Sequence, residues 1–356
     1  MDNLNYSTLE KISYDGYLLK DAPEKVLQFG EGNFLRAFVD YFIDLMNEKA
    51  GFNGKIVIAQ PLAGGLSDMI NSQEGLYTLF LRGQEKGQSV NRKRVISAVS
   101  RCLNPYSEYD SLMECAHNPE LRFIVSNTTE AGIAYDPSCK KDDRPASSFP
   151  GKLTAFLYER WKAGLRGFII LSCELIDHNG DELKECVLQY IDLWDLEDEF
   201  ADWVNLQNTF CSTLVDRIVP GYPRNEADKI CEELGYKDDL IDTGEIFGFW
   251  VIEGPQMIKD EFPFEKASLP IIVTDDVTPY KQRKVRILNG AHTSFIMAAY
   301  LSGQDIVRDC MKDDVIHDFM NRTIYDEVIP TLDLPKDDLN SFASDVRSEE
   351  HTSELQ

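Results

Sequence analysis

Lys25–Asn47 reads KVLQFGEGNFLRAFVDYFIDLMN. The short apolar run Val26-Leu27-Gln28-Phe29 stops at Gly30-Glu31-Gly32. From Asn33 onward Phe34, Ala37, Phe38, Phe42, Ile43, Leu45 and Met46 recur at helical spacing. Strand, tight glycine turn, helix is the arrangement that binds dinucleotides: the glycines let the backbone approach the pyrophosphate, which rests on the helix N-terminus. Gly30, Gly32, Asn33 and Phe34 are therefore candidate cofactor contacts. The third glycine of the usual fingerprint is replaced by Leu35, and a purely structural turn accounts for the pattern equally well.

Lys55–Ala59 (KIVIA) is a second strand ending at Gln60-Pro61. Nucleotide-binding folds usually place an acidic residue there for the adenosine ribose. Gln60 stands in its place, and no arginine follows at once to favour a 2′-phosphate, so NAD is expected over NADP. Leu76–Gly83 and Val90–Ser100 read as strands or a hairpin, and Tyr106–His117 as a helix. Leu121–Ser126 (LRFIVS) is a buried strand running into Asn127-Thr128-Thr129-Glu130. Small hydrogen-bonding residues at the carboxyl end of such a strand are where α/β sheets take ligands, which makes Asn127, Thr128 and Glu130 candidates, although ordinary loops share this composition.

Pro150–Ala163 is an amphipathic helix opened by proline. Gly167–Cys173 (GFIILSC) is as apolar as a strand covered on both faces. Glu174 and His178 follow, but no third ligand is evident and no metal site is expected. Gly180–Leu206 and residues 226–235 read as helical; Phe247–Glu253 and Ile271–Val277 read as strands. From Leu288 the pattern is helical alone. The chain is thus expected to be α/β, with a Rossmann-like N-terminal domain over residues 1–275 and the start of a mainly helical domain over residues 276–346. The last ten residues, RSEEHTSELQ (347–356), do not continue that pattern and read as a non-native tail.

Composition narrows the partners. The chain has 356 residues, with 61 acidic against 36 basic side chains and a net charge of -25. Such a surface repels nucleic acid and anionic lipid. No apolar run approaches the ~18 residues of a membrane span, and no secretory signal opens the chain. Eight scattered cysteines without a CxxC pair fit reduced thiols in a cytoplasmic protein. Against this acidic background Lys281, Arg283, Lys284 and Arg286 cluster, followed by Asn289 and His292. On an α-helix Lys284, Asn289 and His292 lie at 0°, about 140° and about 80°, so all three can line one wall. A lysine, an amide and an imidazole there form a proton-transfer and carbonyl-polarising group. A solvated basic helix start with a core histidine is the competing reading. In Val215-Asp216-Arg217-Ile218, the Asp-Arg pair reads as a structural ion pair or an orienting clamp.

QFGEGNFLRAF (28–38), SNTTEAGI (126–133), FPGKLT (149–154) and KVRILNGAHT (284–293) together resemble the mannitol-dehydrogenase-like family, the polyol-specific long-chain dehydrogenases. LSCELIDHNGDEL (171–183) and FCSTLVDRIVPGYPR (210–224) narrow the resemblance to the branch that interconverts D-tagaturonate and D-altronate. The resemblance covers about residues 20 to 346. It implies a zinc-independent NAD(H) enzyme acting on a small sugar acid, with Lys284 as acid/base and Asn289 and His292 bonding the reacting oxygen. Fructuronate or a neutral polyol as substrate, and a non-catalytic nucleotide-binding fragment, are the alternatives. Like charge from Arg283 and Arg286, together with burial, would favour the neutral amine that a lysine base needs. One of these arginines or Arg217 can hold the substrate carboxylate bidentately; Arg217 and Arg286 are the substrate-binding candidates. The chain departs from the family pattern twice. Leu175 occupies the position of an oxyanion-stabilising asparagine. The pattern also stops near Val346, where the family continues through helices that bring a further lysine, so the resemblance implies a truncated copy.

Overall fold

The computed structural model describes residues 1–85, 88–305, 307–310 and 312–350. The strands are β1 (Glu24–Phe29), β2 (Lys55–Ala59), β3 (Tyr77–Glu85), β4 (Gln88–Ile96), β5 (Val99–Leu103), β6 (Phe123–Ser126), β7 (Ile169–Ser172), β8 (Thr209–Asp216), β9 (Asp242–Glu245), β10 (Phe249–Glu253) and β11 (Ile271–Thr274). Eight of them form one sheet in the order β11-β10-β8-β7-β6-β1-β2-β5. From β5 through β8 every pairing is parallel, and β10 joins β8 antiparallel. The six parallel strands have the doubly wound order in which the chain reverses direction between β1 and β6, and ligands bind at such a reversal, outside the strand ends.

Alternating side chains explain why the sheet is covered on both faces. Val26, Ile58, Val125 and Leu171 join one core with Phe38, Phe42 and Met46 of the helical run Asn33–Ala50. Leu27, Phe29, Val57, Ile124 and Ile170 join another with Phe156 of helix Phe149–Lys162, Val187 of helix Asn179–Leu193 and Phe200 of helix Asp198–Gln207. A strand buried on both faces reads as a continuous apolar run, which is why β1, β2, β6 and β7 stand out in the sequence.

Several expectations are refined. The stretch Val90–Ser100 is divided: β4 ends at Ile96, and Val99 opens β5, the third parallel strand. β3 pairs antiparallel with β4 and parallel with β9, forming a small side sheet. β8 and β9 are strands that the sequence pattern does not mark. The run expected as one helix over 180–206 breaks between Leu193 and Asp198.

From Thr278 the chain is helical, packed around Ile287, Ala291, Phe295, Met320, Ile324 and Leu339. It is tied to the sheet domain at its first turn. Val277 N–H donates to Glu253 Oε2 at 2.8 Å, Lys281 pairs with Asp177, and Arg283 stacks over Phe249 while pairing with Asp338 at 2.6 Å. The last helix runs Lys336–Glu350, beyond Val346; of the suspected tail, residues 351–356 lie outside the described residues. None of the described helices is long and apolar enough to cross a membrane.

Candidate active site

The glycine turn after β1 is built around two different needs. Gly30 has φ +123°, and a Cβ there would lie 2.9 Å from the Asn127 carbonyl oxygen and 3.2 Å from Leu35 Cδ1. The turns leaving β1 and β6 cross this closely, so only glycine fits. Gly32 has an ordinary φ of -67°, and a Cβ added there would meet nothing within 4 Å. No internal packing demands that glycine; its open face suits the close approach of an external group. Gly32 caps a helical run whose second segment, Arg36–Asp40, is a π turn. Arg36, buried at 2% exposure, braces the turn from beneath. Its Nη2 donates to Asn33 Oδ1 at 2.5 Å, its Nε to Glu31 O at 3.2 Å and its Nη1 to Leu240 O at 2.7 Å. Asp242 lies 3.9 Å from Nη2, so the buried charge is paired.

The loop after β6 is held by Glu174. This buried carboxylate accepts from Ser126 Oγ at 3.1 Å and from both the N–H and the hydroxyl of Thr128 at 3.0 Å. Burial pushes its pKa up, while those donors pull it back down. Asn127 Nδ2 donates to Cys173 O at 2.8 Å, and Thr129 takes a positive φ of 75°. Among the expected cofactor residues, Phe34, Asn127 and Glu130 consequently line a cavity, whereas Thr128 is turned inward onto Glu174. Glu174 is spent on this loop, and His178 is exposed beside Asp181, so the two do not converge.

The cavity, of about 650 Å³, lies at the carboxyl ends of β6, β7 and β8. Leu175, Asp216, Arg217 and Lys284 also line it. Lys284 opens a second π turn, Lys284–Asn289. An i→i+5 turn stacks residues five apart much as an α-turn stacks residues three or four apart, so Asn289 lies closer to the side of Lys284 than an α-helix allows. Lys284 Nζ lies 3.7 Å from Asp216 Oδ1, with only 18% and 11% of the two side chains exposed. Burial raises the Asp216 pKa against the pull of Lys284, and its Oδ2 has no hydrogen-bond partner among the described residues. Behind it, burial pushes Glu245 up to about 7, although Ile218 N–H donates to its carboxylate at 2.5 Å. For His292, burial and then the positive charge of Lys284 hold the imidazole below its ordinary range. A neutral imidazole can donate to a developing oxyanion.

The arginines divide differently from the sequence expectation. Arg283 is buried, paired with Asp338 and stacked on Phe342 at 4.5 Å, so its charge is balanced away from Lys284. A carboxylate, Asp216, is instead the charge beside that lysine. Arg217 borders the cavity, but Nη1, Nε and Nη2 donate to the carbonyls of Ala37, Phe247 and Ile246 at 2.6, 2.8 and 3.3 Å. Asp216 and Arg217 do not pair with each other: neighbours at a strand end point to opposite sides, Asp216 to Lys284 and Arg217 to the aromatic core. Arg286 and Asn289 are exposed on the π turn. The Asp216–Lys284 pair spans two separate elements, and the one sequence signal that aims Asp216 at the cavity is the side-chain alternation of β8.

Comparison with known proteins matches residues 24–266 to the Mannitol dehydrogenase Rossmann domain and residues 276–349 to the Mannitol dehydrogenase C-terminal domain. An altronate oxidoreductase of Shigella flexneri is 51% identical over 329 residues, which are 91% of this chain and 68% of that protein. One from Phocaeicola vulgatus is 51% identical over 328 residues with the same coverage. Among solved structures, the ternary complex of Pseudomonas fluorescens mannitol 2-dehydrogenase with NAD and D-mannitol superimposes with a TM-score of 0.78 at 25% identity, over 98% of this chain and 74% of that one. A substrate-free D-sorbitol dehydrogenase gives 0.82 at the same identity and coverage.

Proposed function

We propose, since this chain belongs to the mannitol dehydrogenase family, that it interconverts D-tagaturonate and D-altronate with NAD(H), Lys284 serving as general acid/base. The observation that carries the proposal is the Lys284–Asp216 pair, 3.7 Å apart in the wall of the cavity beside Phe34 and Asn127. The 51% identity to altronate oxidoreductases over 91% of the chain supports the choice of sugar acid. In this reading residues 1–275 hold the nucleotide, and the segment from 276 to 346 brings in the proton-transfer groups.

The turn at Gly30, Gly32, Asn33 and Phe34, with Asn127 and Glu130 opposite, would hold the dinucleotide; the open face of Gly32 fits a pyrophosphate. Bound NAD(H) supplies or accepts the hydride. During reduction negative charge grows on the former carbonyl oxygen, and the Lys284 ammonium gives that oxygen a proton. Asp216 holds the ammonium in place. Asn289 and neutral His292 donate hydrogen bonds to the same oxygen. In the oxidative direction the Lys284 amine takes the hydroxyl proton. With Arg217 bound to three carbonyls, Arg286 is the better candidate for the substrate carboxylate. NADH oxidation followed by absorbance, with tagaturonate, fructuronate and fructose in parallel, tests the proposal. Preferred turnover of tagaturonate supports it; preference for fructuronate or fructose reassigns the substrate, and binding of NADH without turnover of any of them leaves a nucleotide-binding fragment.

A further inference from the structure

We infer that Glu31 is the residue that selects NAD(H) over NADP(H), its carboxylate accepting from the 2′-hydroxyl of the adenosine ribose. The inference rests on the dinucleotide reading above. In doubly wound folds that hydroxyl is met by an acidic side chain at the end of the second strand. Here the position is Gln60, which is 1% exposed and occupied with its own loop. Its Nε2 donates to Leu62 O at 2.8 Å and to Ala63 O at 3.2 Å, while its Oε1 accepts from Ser67 N–H at 3.1 Å. Gln60 therefore shapes the loop and has little left to offer a ribose.

A carboxylate reaches the same place from the other side. Glu31 is the middle residue of the Gly30-Glu31-Gly32 turn, and its side chain extends to the loop that follows β2. Gly65 marks where it ends: a Cβ built there would lie 2.5 Å from Glu31 Oε1 and 2.6 Å from Gln60 Oε1. The Glu31 carboxylate thus sits beside the residue whose usual acidic counterpart would read the ribose, and Gly65 is glycine because these two oxygens fill the space. Glu31 remains half-buried, which leaves part of it open to a ligand. Burial raises its pKa, and the backbone N–H groups of Glu31 and Leu66 pull it back toward the ionised form.

The same geometry rejects a 2′-phosphate. Residues 60–67, QPLAGGLS, contain no basic side chain. Arg36, the guanidinium on the turn, is buried and donates to Glu31 O, Asn33 Oδ1 and Leu240 O. A dianionic phosphate would therefore face the Glu31 carboxylate while the nearby Arg36 charge is held by its own buried partners, and close like-charge contact discriminates strongly between partners.

The test compares NADH, NADPH and 2′-deoxy-NADH, with binding followed by quenching of protein fluorescence so that it does not depend on turnover. Wild type should bind 2′-deoxy-NADH about 10-fold more weakly than NADH, the scale of a hydrogen bond to a charged acceptor. It should bind NADPH more weakly still. Glu31→Gln should shrink the NADH-to-NADPH affinity ratio by about 10-fold or more and narrow the gap between NADH and the deoxy analogue. If Glu31→Gln folds and all ratios stay as in wild type, the inference is wrong. If that variant does not fold, the wild-type protein decides alone: equal affinity for NADH and 2′-deoxy-NADH overturns the assignment. A wild type that binds none of the three overturns the dinucleotide reading itself, and this inference with it.

Discussion

Replacing Arg217 separates a structural arginine from a substrate-binding one. The side chain is 7% exposed, donates to three backbone carbonyls and lies 5.7, 5.2 and 5.3 Å from the rings of Phe38, Tyr41 and Phe42. Burial pushes its pKa down to about 10. At about 1.4 kcal/mol per pH unit, the site carries the charge at a cost of about 3 kcal/mol. Arg217→Met removes that cost but orphans three carbonyls, each at about 1–3 kcal/mol. The balance is a loss of about 3 kcal/mol, or roughly 1 M in the urea midpoint for a chain of this size. The uronate-to-ketose ratio of KM should stay the same in whatever protein remains folded. Arg286→Ala should do the reverse, leaving the urea midpoint in place and raising KM for tagaturonate about 10-fold or more over that for fructose. If Arg217→Met keeps its stability and selectively loses affinity for the uronate, the structural assignment is refuted.

Three further outcomes follow from the same geometry. Gly30→Ala places a Cβ 2.9 Å from the Asn127 carbonyl at φ +123°, and should cost about 2 kcal/mol, a few degrees in thermal midpoint, together with NADH affinity. Asp216→Asn keeps the shape but removes the charge that anchors Lys284, and turnover at saturating substrate should fall by about 100-fold without loss of stability. Glu245 has its folded-state pKa raised to about 7, so the folded form binds its proton more readily than the unfolded chain. Stability should therefore fall as pH rises from the ordinary carboxylate range through about 7, and Glu245→Gln should flatten that slope in urea titrations across pH.

The parts of the fold that were readable in the sequence are those where burial leaves a one-dimensional trace. β1, β2, β6 and β7 are apolar because both faces are covered, and Gly30 is fixed by a crossing of two loops. β8 is hard to read because TFCSTLVD buries Ser212 and Thr213 through hydrogen bonds to the distant Gly180 N–H and Ser172 carbonyl, so a core strand looks half polar. β9, DTGE, has the composition of a turn; it is held as a strand by pairing with β3 and, at Asp242, by Arg36. At the site, the basic cluster was visible but its division was not. Arg283 is drawn to Asp338, 55 residues onward, and Lys284 to Asp216 on β8. The π turn at Lys284–Asn289 has no compositional signature, so the α-helical angles assigned to Asn289 and His292 were those of the wrong helix.

If Lys284 moves the proton, Lys284→Met should abolish chemistry without abolishing cofactor binding. Tagaturonate-dependent NADH oxidation should be measured beside NADH binding for wild type and variant. NADH binding should be retained while turnover falls by about 100- to 10,000-fold, the contribution of a positioned general acid. Wild-type turnover in the variant, at any pH, would contradict that role of Lys284.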